Sequence, residues 1–198
     1  MPKTKEQFEQ IKKERISRIE KSALFLFSVK GYDAVTMDDI ARESDSSHGL
    51  IFHYFSNKQI LYEHIVNDVS ENYMREIVKD VNFSQSPKFV FMDLLNAYLA
   101  ALKSSNDDYA YTIFLKSTMP IRKSPIKKED KNRDMYWLLN DLIEKGQKDN
   151  TFYNTNSMEL TIACLSLIRG LALARINIGY KRFRPPKSET IAKMIIKM

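Results

Sequence analysis

The stretch Ser46–Lys58 reads SSHGLIFHYFSNK. A hydrophobic core has use for Leu50, Ile51, Phe52 and Phe55, but not for a glycine and two histidines among them. Something other than a core must touch this segment. Ser47 can cap a helix N-terminus, because its hydroxyl can accept from a backbone N–H two or three residues on. His48, Gly49 and Leu50 then occupy the first turn. Ile51 and Phe55, four residues apart, share one face and point inward. His53 and Tyr54 emerge at the far end with polar tips.

Working outward, the upstream segment GYDAVTMDDIARESD runs from Gly31 to Asp45. Thr36 can cap a short helix, Met37–Glu43, with Asp38 and Asp39 in the first turn where the helix dipole favours them. Ile40 and Ala41 are its inward residues. Ser44-Asp45-Ser46 forms the turn that follows. The middle residue of such a turn often needs positive φ, and Asp is one of the few non-glycine types that tolerates it. Ahead lies a supporting helix from about Glu9 to Lys30, with Ile16, Ile19, Ala23, Leu24 and Phe27 in one stripe and Gly31 as its stop.

Two short helices joined by a tight turn behind a longer support have the layout of a helix-turn-helix, whose second helix lays its first turn against base edges in the major groove. On that reading His48 hydrogen-bonds a base or phosphate, Gly49 lets backbone come close, and Leu50 suits a thymine methyl. His53 and Tyr54 face phosphate oxygens. Lys58 opens the next helix, where free amides and a cation make an anion site.

The remainder of the 198 residues also reads helical. Ile60, Leu61, Ile65, Val69, Tyr73 and Ile77 mark a long helix after Lys58, ending near Asp80 to Asn82, with Ser56 and Gln59 as a capping box. Pro87 opens a helix carrying Phe91, Leu94, Leu95, Tyr98 and Leu102. A segment Tyr109–Met119 follows, then a basic loop from Pro120 to Lys128 and a helix from about Glu129 to Lys148 with Trp137, Leu138 and Leu142 inward. Asn156 and Glu159 suggest a capping box before the most apolar helix, Met158–Ile178. A short amphipathic helix ends the chain. No alternating strand and no internal repeat is present.

Composition bounds the function. The chain is 43% hydrophobic and 28% charged with 5 Gly and 6 Pro, which excludes disordered and collagen-like classes. One cysteine, Cys164, excludes an intrachain disulfide and reads as an inert buried thiol. Neither a signal peptide nor an unbroken run of about 18 apolar residues is seen, so a cytoplasmic protein with no membrane span is expected. Three scattered histidines and one cysteine make no zinc site. No triad or phosphate loop offers catalysis, so neither enzyme activity nor a cofactor is expected. His64 reads as a surface or packing residue. Net charge is +6, but Thr36–Lys58 holds two basic residues (Arg42, Lys58) against four acidic ones (Asp38, Asp39, Glu43, Asp45). Residues 1–21 hold seven basic and four acidic residues and can supply further phosphate contacts.

Gly31-Tyr32, Thr36, Ile40-Ala41, Gly49, Phe52, His53-Tyr54-Phe55 and Lys58 together resemble the DNA-binding region of TetR-type transcriptional regulators, over about Ile11 to Val69. Two departures stand out: the family's common Ala-Gly-Val-Ser turn is Ser44-Asp45-Ser46-Ser47 here, and Phe52 replaces the usual Tyr. The resemblance implies an all-α fold with a helix-turn-helix DNA-binding domain at residues 9–57 (motif 36–55) and a helical effector-binding and dimerisation domain at 58–198. It points to Thr36, Ser46, Ser47, His48, Gly49, Leu50, His53, Tyr54 and Lys58 as the residues that meet DNA. The implied partners are a double-stranded operator, a second copy of the chain and a small effector, with no membrane. An apolar or aromatic effector would suit a pocket drawn from Met92, Tyr98, Tyr111, Phe114, Trp137 and Arg169. Arg169 and Arg175, in an apolar helix, want carboxylate partners from protein, ligand or a second subunit. The expected protein is a repressor released from a palindromic operator as helix four moves like a lever. The alternatives are an activator, an effector-independent DNA-organising or cell-division protein, and an enzyme or carrier for apolar ligands.

Overall fold

The computed structural model describes residues 4–118 and 135–197. The first helix, α1, spans Lys5–Lys30. It starts one turn earlier than the apolar stripe predicts, because Thr4 and Gln7 form a reciprocal capping box. Gly31, at φ 79°, ends it. The next two helices, α2 (Met37–Glu43) and α3 (His48–Tyr54), fall where the caps placed them.

The long helix after Lys58 is continuous but not uniform. It comprises α4 (Lys58–His64), a π-helical segment (Ile65–Val69) and α5 (Ser70–Val78). The Ser70 hydroxyl donates to Ile65 O at 2.9 Å, across the wide turn. Ile65 and its neighbour Val66 are both buried. The wide turn lets two consecutive apolar residues face the same core, and helical periodicity alone does not show that. Asn57, not Ser56, caps α4: its side-chain oxygen accepts from Ile60 N at 2.9 Å, while Gln59 bonds Glu63.

Four longer helices and a short one build the rest: α6 (Pro87–Lys103), α7 (Asp108–Thr118), α8 (Met135–Lys148), α9 (Ser157–Ile178) and α10 (Ser188–Ala192). Met119, the basic loop 120–128 and the predicted helix start at Glu129 lie outside the described residues. The final helix is shorter than expected, because the chain turns back after Ala192. Tyr153 N donates to Ile195 O and Lys197 N to Thr151 O, around an isolated antiparallel bridge between Phe152 and Ile196. No strand forms among the described residues.

Three cores follow. The first joins α1–α4 and the π segment around Ile19, Leu24, Phe27, Ile40, Ile51 and Leu61, and reaches Leu115 of α7. The second joins α6, α8, α9 and α10 around Phe91, Ile143 and Phe152. The third joins α5, α6, α7 and α9 around Ile77, Tyr98, Leu102 and Ala172. Arg175 anchors the end of α9. It is 2% exposed; its Nε donates to Leu102 O at 3.0 Å, and its Nη2 donates to Ser104 O at 3.1 Å and to the Asp107 carboxylate. The buried arginine thus finds its carboxylate inside its own chain.

Helix α9 is long and apolar enough by length and composition to cross a membrane: an 18-residue window has mean hydropathy 1.5, with 17% of that window buried. The criterion of an unbroken apolar run passes over it, because Ser166, Arg169 and Gly170 interrupt the sequence. Its uncovered side presents Met158, Ile162, Ser166, Gly170 and Leu173 at helical spacing.

Gly146 of α8 yields a test. A β-carbon there would lie 2.2 Å from the ring of Phe152, which is fully buried, and 3.0 Å from Pro87 Cβ. Gly146→Ala is expected to destabilise by about 1–3 kcal/mol through overpacking, against the ~1 kcal/mol that alanine normally gains in a helix. Urea unfolding checks the sign: a stabilised variant removes this account of the Gly146–Phe152 contact.

Candidate nucleic-acid interface

The turn between α2 and α3 carries the geometry. Asp45 takes φ 49°, the left-handed region. The Ser44 hydroxyl donates to Ile40 O at 2.7 Å and tethers the end of α2. Ser46 N donates to Ala41 O at 2.9 Å, closing the turn. Ser47 caps α3, its hydroxyl accepting from Leu50 N at 3.3 Å. Thr36 caps α2 in a box with Asp39: its hydroxyl accepts from Asp39 N at 3.1 Å and donates to the carboxylate at 2.7 Å. The Thr36 hydroxyl, then its backbone N–H, hold the Asp39 carboxyl below the usual carboxylate range.

Helix α3 buries Ile51 completely, and its C-cap Phe55 is also buried. That fixes its rotation and leaves His48, Gly49, Phe52 and His53 exposed, with Leu50 and Tyr54 half-buried. Gly49 has open space where a side chain would go, so its backbone can be approached closely. The His48 ring lies 4.4 Å from the Phe52 ring, and its Nε2 is 3.3 Å from the Asp38 carboxylate. His53 meets Tyr54 edge-on at 5.1 Å.

The structure places the predicted residues along one edge but gives some of them internal work. Thr36 and Ser47 spend their hydroxyls on caps, and Ser46 donates to Ser44 O at 3.3 Å. Lys58 is tied back: Nζ donates to Tyr32 O at 2.9 Å and sits 4.3 Å from the centre of that ring. The Tyr32 ring packs at a tilt against Phe27 and Tyr62. Lys58 is therefore a strut across the loop before α2. Two exposed side chains extend the surface beyond the predicted set. Phe52 widens its apolar part, and Arg42, 78% exposed on α2, supplies a cation beside the acidic residues. The sequence signal for Arg42 was its place in the last turn of a short helix with an inward Ile40-Ala41.

The suggested effector residues fall in different places. Tyr98 and Phe114 share the third core, Met92 packs on the second, and Tyr111 packs on the first, edge-on to Phe25 at 5.5 Å. Trp137 is half-buried beside Tyr136, and Arg169 is exposed. A cavity of about 320 Å³ opens elsewhere, between α1, the π segment, α5 and α7, lined in part by Glu20, Lys21, His64, Tyr73, Glu76 and Tyr109. The Cys164 thiol is buried, and burial pushes its pKa up to about 12. Among the described residues no group of three or more His, Cys, Asp or Glu side chains could hold a metal ion.

Comparison with known proteins gives this geometry a context. Residues 19–65 match the model for bacterial regulatory proteins of the tetR family. Over 109 residues the chain is 31% identical to the HTH-type transcriptional regulator HbdR of Aromatoleum sp. (strain CIB), covering 55% of this chain and 47% of that protein. Over 141 residues it is 23% identical to IcaR of Staphylococcus aureus, the HTH-type negative transcriptional regulator of the biofilm operon icaADBC, covering 71% of this chain and 70% of that one. The chain thus spans about half the length of the first of these relatives. The crystal structure of a tetR family transcription regulator from Shewanella sp. PV-4 superposes with TM-score 0.66 at 18% identity, covering 93% of this chain and 99% of that one.

The turn itself can be tested. Asp45→Val forces a β-branched residue into the left-handed region and is expected to destabilise by about 1–2 kcal/mol, whereas Asp45→Gly is expected to leave stability nearly unchanged. Thermal melts of both variants decide it; equal midpoints show that the turn relaxes at no cost.

Proposed function

We propose that this chain, a TetR-type transcriptional regulator by its DNA-binding region and its all-helical fold, is a homodimeric repressor of a palindromic operator in the cytoplasm, released by a small apolar or aromatic effector. One observation carries the reading: a two-turn helix, α3, buries Ile51 and turns His48, Gly49, Phe52 and His53 outward from its support, with Leu50 half-exposed beside them. A helix presented this way fits a major groove. His48 and Leu50 are the base-reading residues, and Gly49 allows close approach. Tyr54, His53 and the basic residues Lys12, Lys13, Arg15 and Arg18 of α1 meet phosphates. The weak basicity of the α2–α3 face leaves positioning to amides, hydroxyls and dimer geometry.

The uncovered stripe of α9 supports the dimer. Met158, Ile162 and Leu173 supply apolar area, while Ser166 and Gly170 let a second helix come close. Two α3 helices presented by such a dimer read half-sites about one DNA turn, ~34 Å, apart. Repression is supported by the likeness to IcaR, a negative regulator. The division of labour places DNA reading before residue 58 and effector binding and dimerisation after it. Effector uptake among Met74, Tyr98 and Phe114 of the third core draws on soft, adaptable side chains.

Selection of duplexes from a random-sequence library by the purified protein tests this reading. Wild type is expected to enrich a palindrome with half-sites one turn apart. His48→Ala is expected to lose about 1–3 kcal/mol on that duplex and to relax preference at one position per half-site. No enrichment by wild type, or enrichment indifferent to His48, ends the reading.

The dimer face gives a separate outcome. Ile162→Glu with Leu173→Glu is expected to sediment as a monomer with an unaltered helical spectrum and to lose the palindrome. A variant that stays dimeric moves the interface off α9.

A further inference from the structure

His64 is the last residue of α4, immediately before the π segment. Its Nε2 lies 2.6 Å from the Glu20 carboxylate on α1, and its Nδ1 lies 2.8 Å from the Asp68 carboxylate in the π segment. Its ring lies 5.4 Å from that of Phe55, the C-cap of the reader helix α3. One imidazole therefore touches the support of the DNA-reading head, the end of the reader helix and the one irregular turn of the long helix that leaves the head.

The hydrogen-bond inventory makes this arrangement depend on a proton. A carboxylate only accepts. An imidazolium donates from both nitrogens, but a neutral imidazole donates from one and presents a lone pair on the other. With His64 protonated both bonds exist. With His64 neutral, either Glu20 or Asp68 faces a lone pair at short range, and that contact turns repulsive. Glu20 from α1 and Asp68 from the π segment contact His64, and the titratable groups that line the cavity with it are Lys21 from α1, Tyr73 and Glu76 from α5, and Tyr109 from α7. The two bonded carboxylates are the near charges. Glu76 is paired with Lys79 at 2.6 Å. The cavity beside His64 gives water and protons access to the ring.

We propose that His64 is a proton-operated clamp: protonated, it pins the π segment to α1 and holds the reading head in one attitude; deprotonated, it releases the π segment and weakens DNA binding. Burial pulls its pKa down, but the hydrogen bonds it donates to Glu20 and Asp68 and the charges of those carboxylates outweigh it, and the net shift is upward. The sign follows. The clamp's contribution is complete below the ordinary histidine value, about 6.5, and is lost as pH rises through the raised folded value. The π segment, to which Asp68 belongs, is the element set free.

The clamp itself does not depend on α3 reading DNA; only its effect on DNA binding rests on the function proposed above. The test therefore has two readouts on the full-length protein. The first is an imidazole NMR titration from about pH 5 to about pH 8, with amide exchange across residues 65–70. His64 is assigned by its absence in His64→Gln, which separates it from His48 and His53. Protection of 65–70 is expected to fall with rising pH in wild type. It is expected to be independent of pH in His64→Gln, and to fall at lower pH in Glu20→Gln, which keeps the ring but removes one charge. The second readout is affinity for a duplex selected by the wild-type protein. A one-unit difference in the His64 pKa between free and bound protein makes wild type lose about tenfold more affinity than His64→Gln over the same range. Identical exchange profiles in wild type and His64→Gln overturn the clamp. A normal clamp titration with equal DNA profiles overturns its coupling to the head. Absence of sequence-selective binding at every pH overturns the reading of α3 and, with it, the predicted effect on DNA, while the exchange data judge the clamp alone.

Discussion

A two-turn helix cannot hold itself together, and the molecule is organised around holding one. Seven residues give α3 too few internal hydrogen bonds to offset the cost of nucleating a helix. Its existence depends on burying Ile51 and Phe55 in the first core, against Ile19, Leu24, Ile40 and Leu61. Burial of each such side chain contributes about 1.5–3 kcal/mol. Because that anchor uses one face only, the opposite face is left to solvent and to any polyanion that fits it. The same contact that makes the helix also aims it.

The head is not insulated from the helices behind it. The Ser28 hydroxyl donates to Tyr111 O at 3.2 Å, Phe25 meets Tyr111 edge-on, and Leu115 of α7 completes the first core. On the other side the π segment contributes Ile65 and Val66 to that core, and Val78 of α5 packs on the second and third. A change in packing among α5, α6 and α7 thus has two covalent and packed routes to α3: through α1, or through the long helix and its wide turn. Lys58 over Tyr32 stiffens the loop between them.

Local chemistry made the head legible. Thr36, Ser47 and Gly31 act where their capping and φ preferences dictate, and Asp45 adopts the positive φ that a turn of that length demands. The anchor pair Ile51 and Phe55 follows from four-residue spacing. What escaped the sequence is non-local or lacks a periodic signature. The π turn looks like ordinary helix until Ile65 and Val66 are seen to share a core. His64 reads as a surface or packing residue until Glu20, 44 positions away, meets it. Of the suggested effector residues, Met92, Tyr98, Tyr111 and Phe114 are side chains that satisfy any apolar core equally well, so composition could not sort them among three clusters. Asn57 and Ser56 are both competent caps, and the register of α4 on Leu61 selects Asn57.

Hydropathy alone does not assign α9. Its composition suits a bilayer, yet its C-terminal end carries Arg175 with all its bonds directed into protein: two backbone carbonyls and the Asp107 carboxylate, on a helix end locked to the α6–α7 connection. Arg169 lies exposed near the middle of the helix, where a lipid environment would penalise it by several kcal/mol. The same side chain can lie at the rim of a helix-on-helix contact with its charge in water. Small residues at Ser166 and Gly170, between apolar Ile162 and Leu173, leave room on this face for close approach of another helix. Helix α9 thus has one face packed, one end ionically anchored and a narrow stripe containing small residues left uncovered.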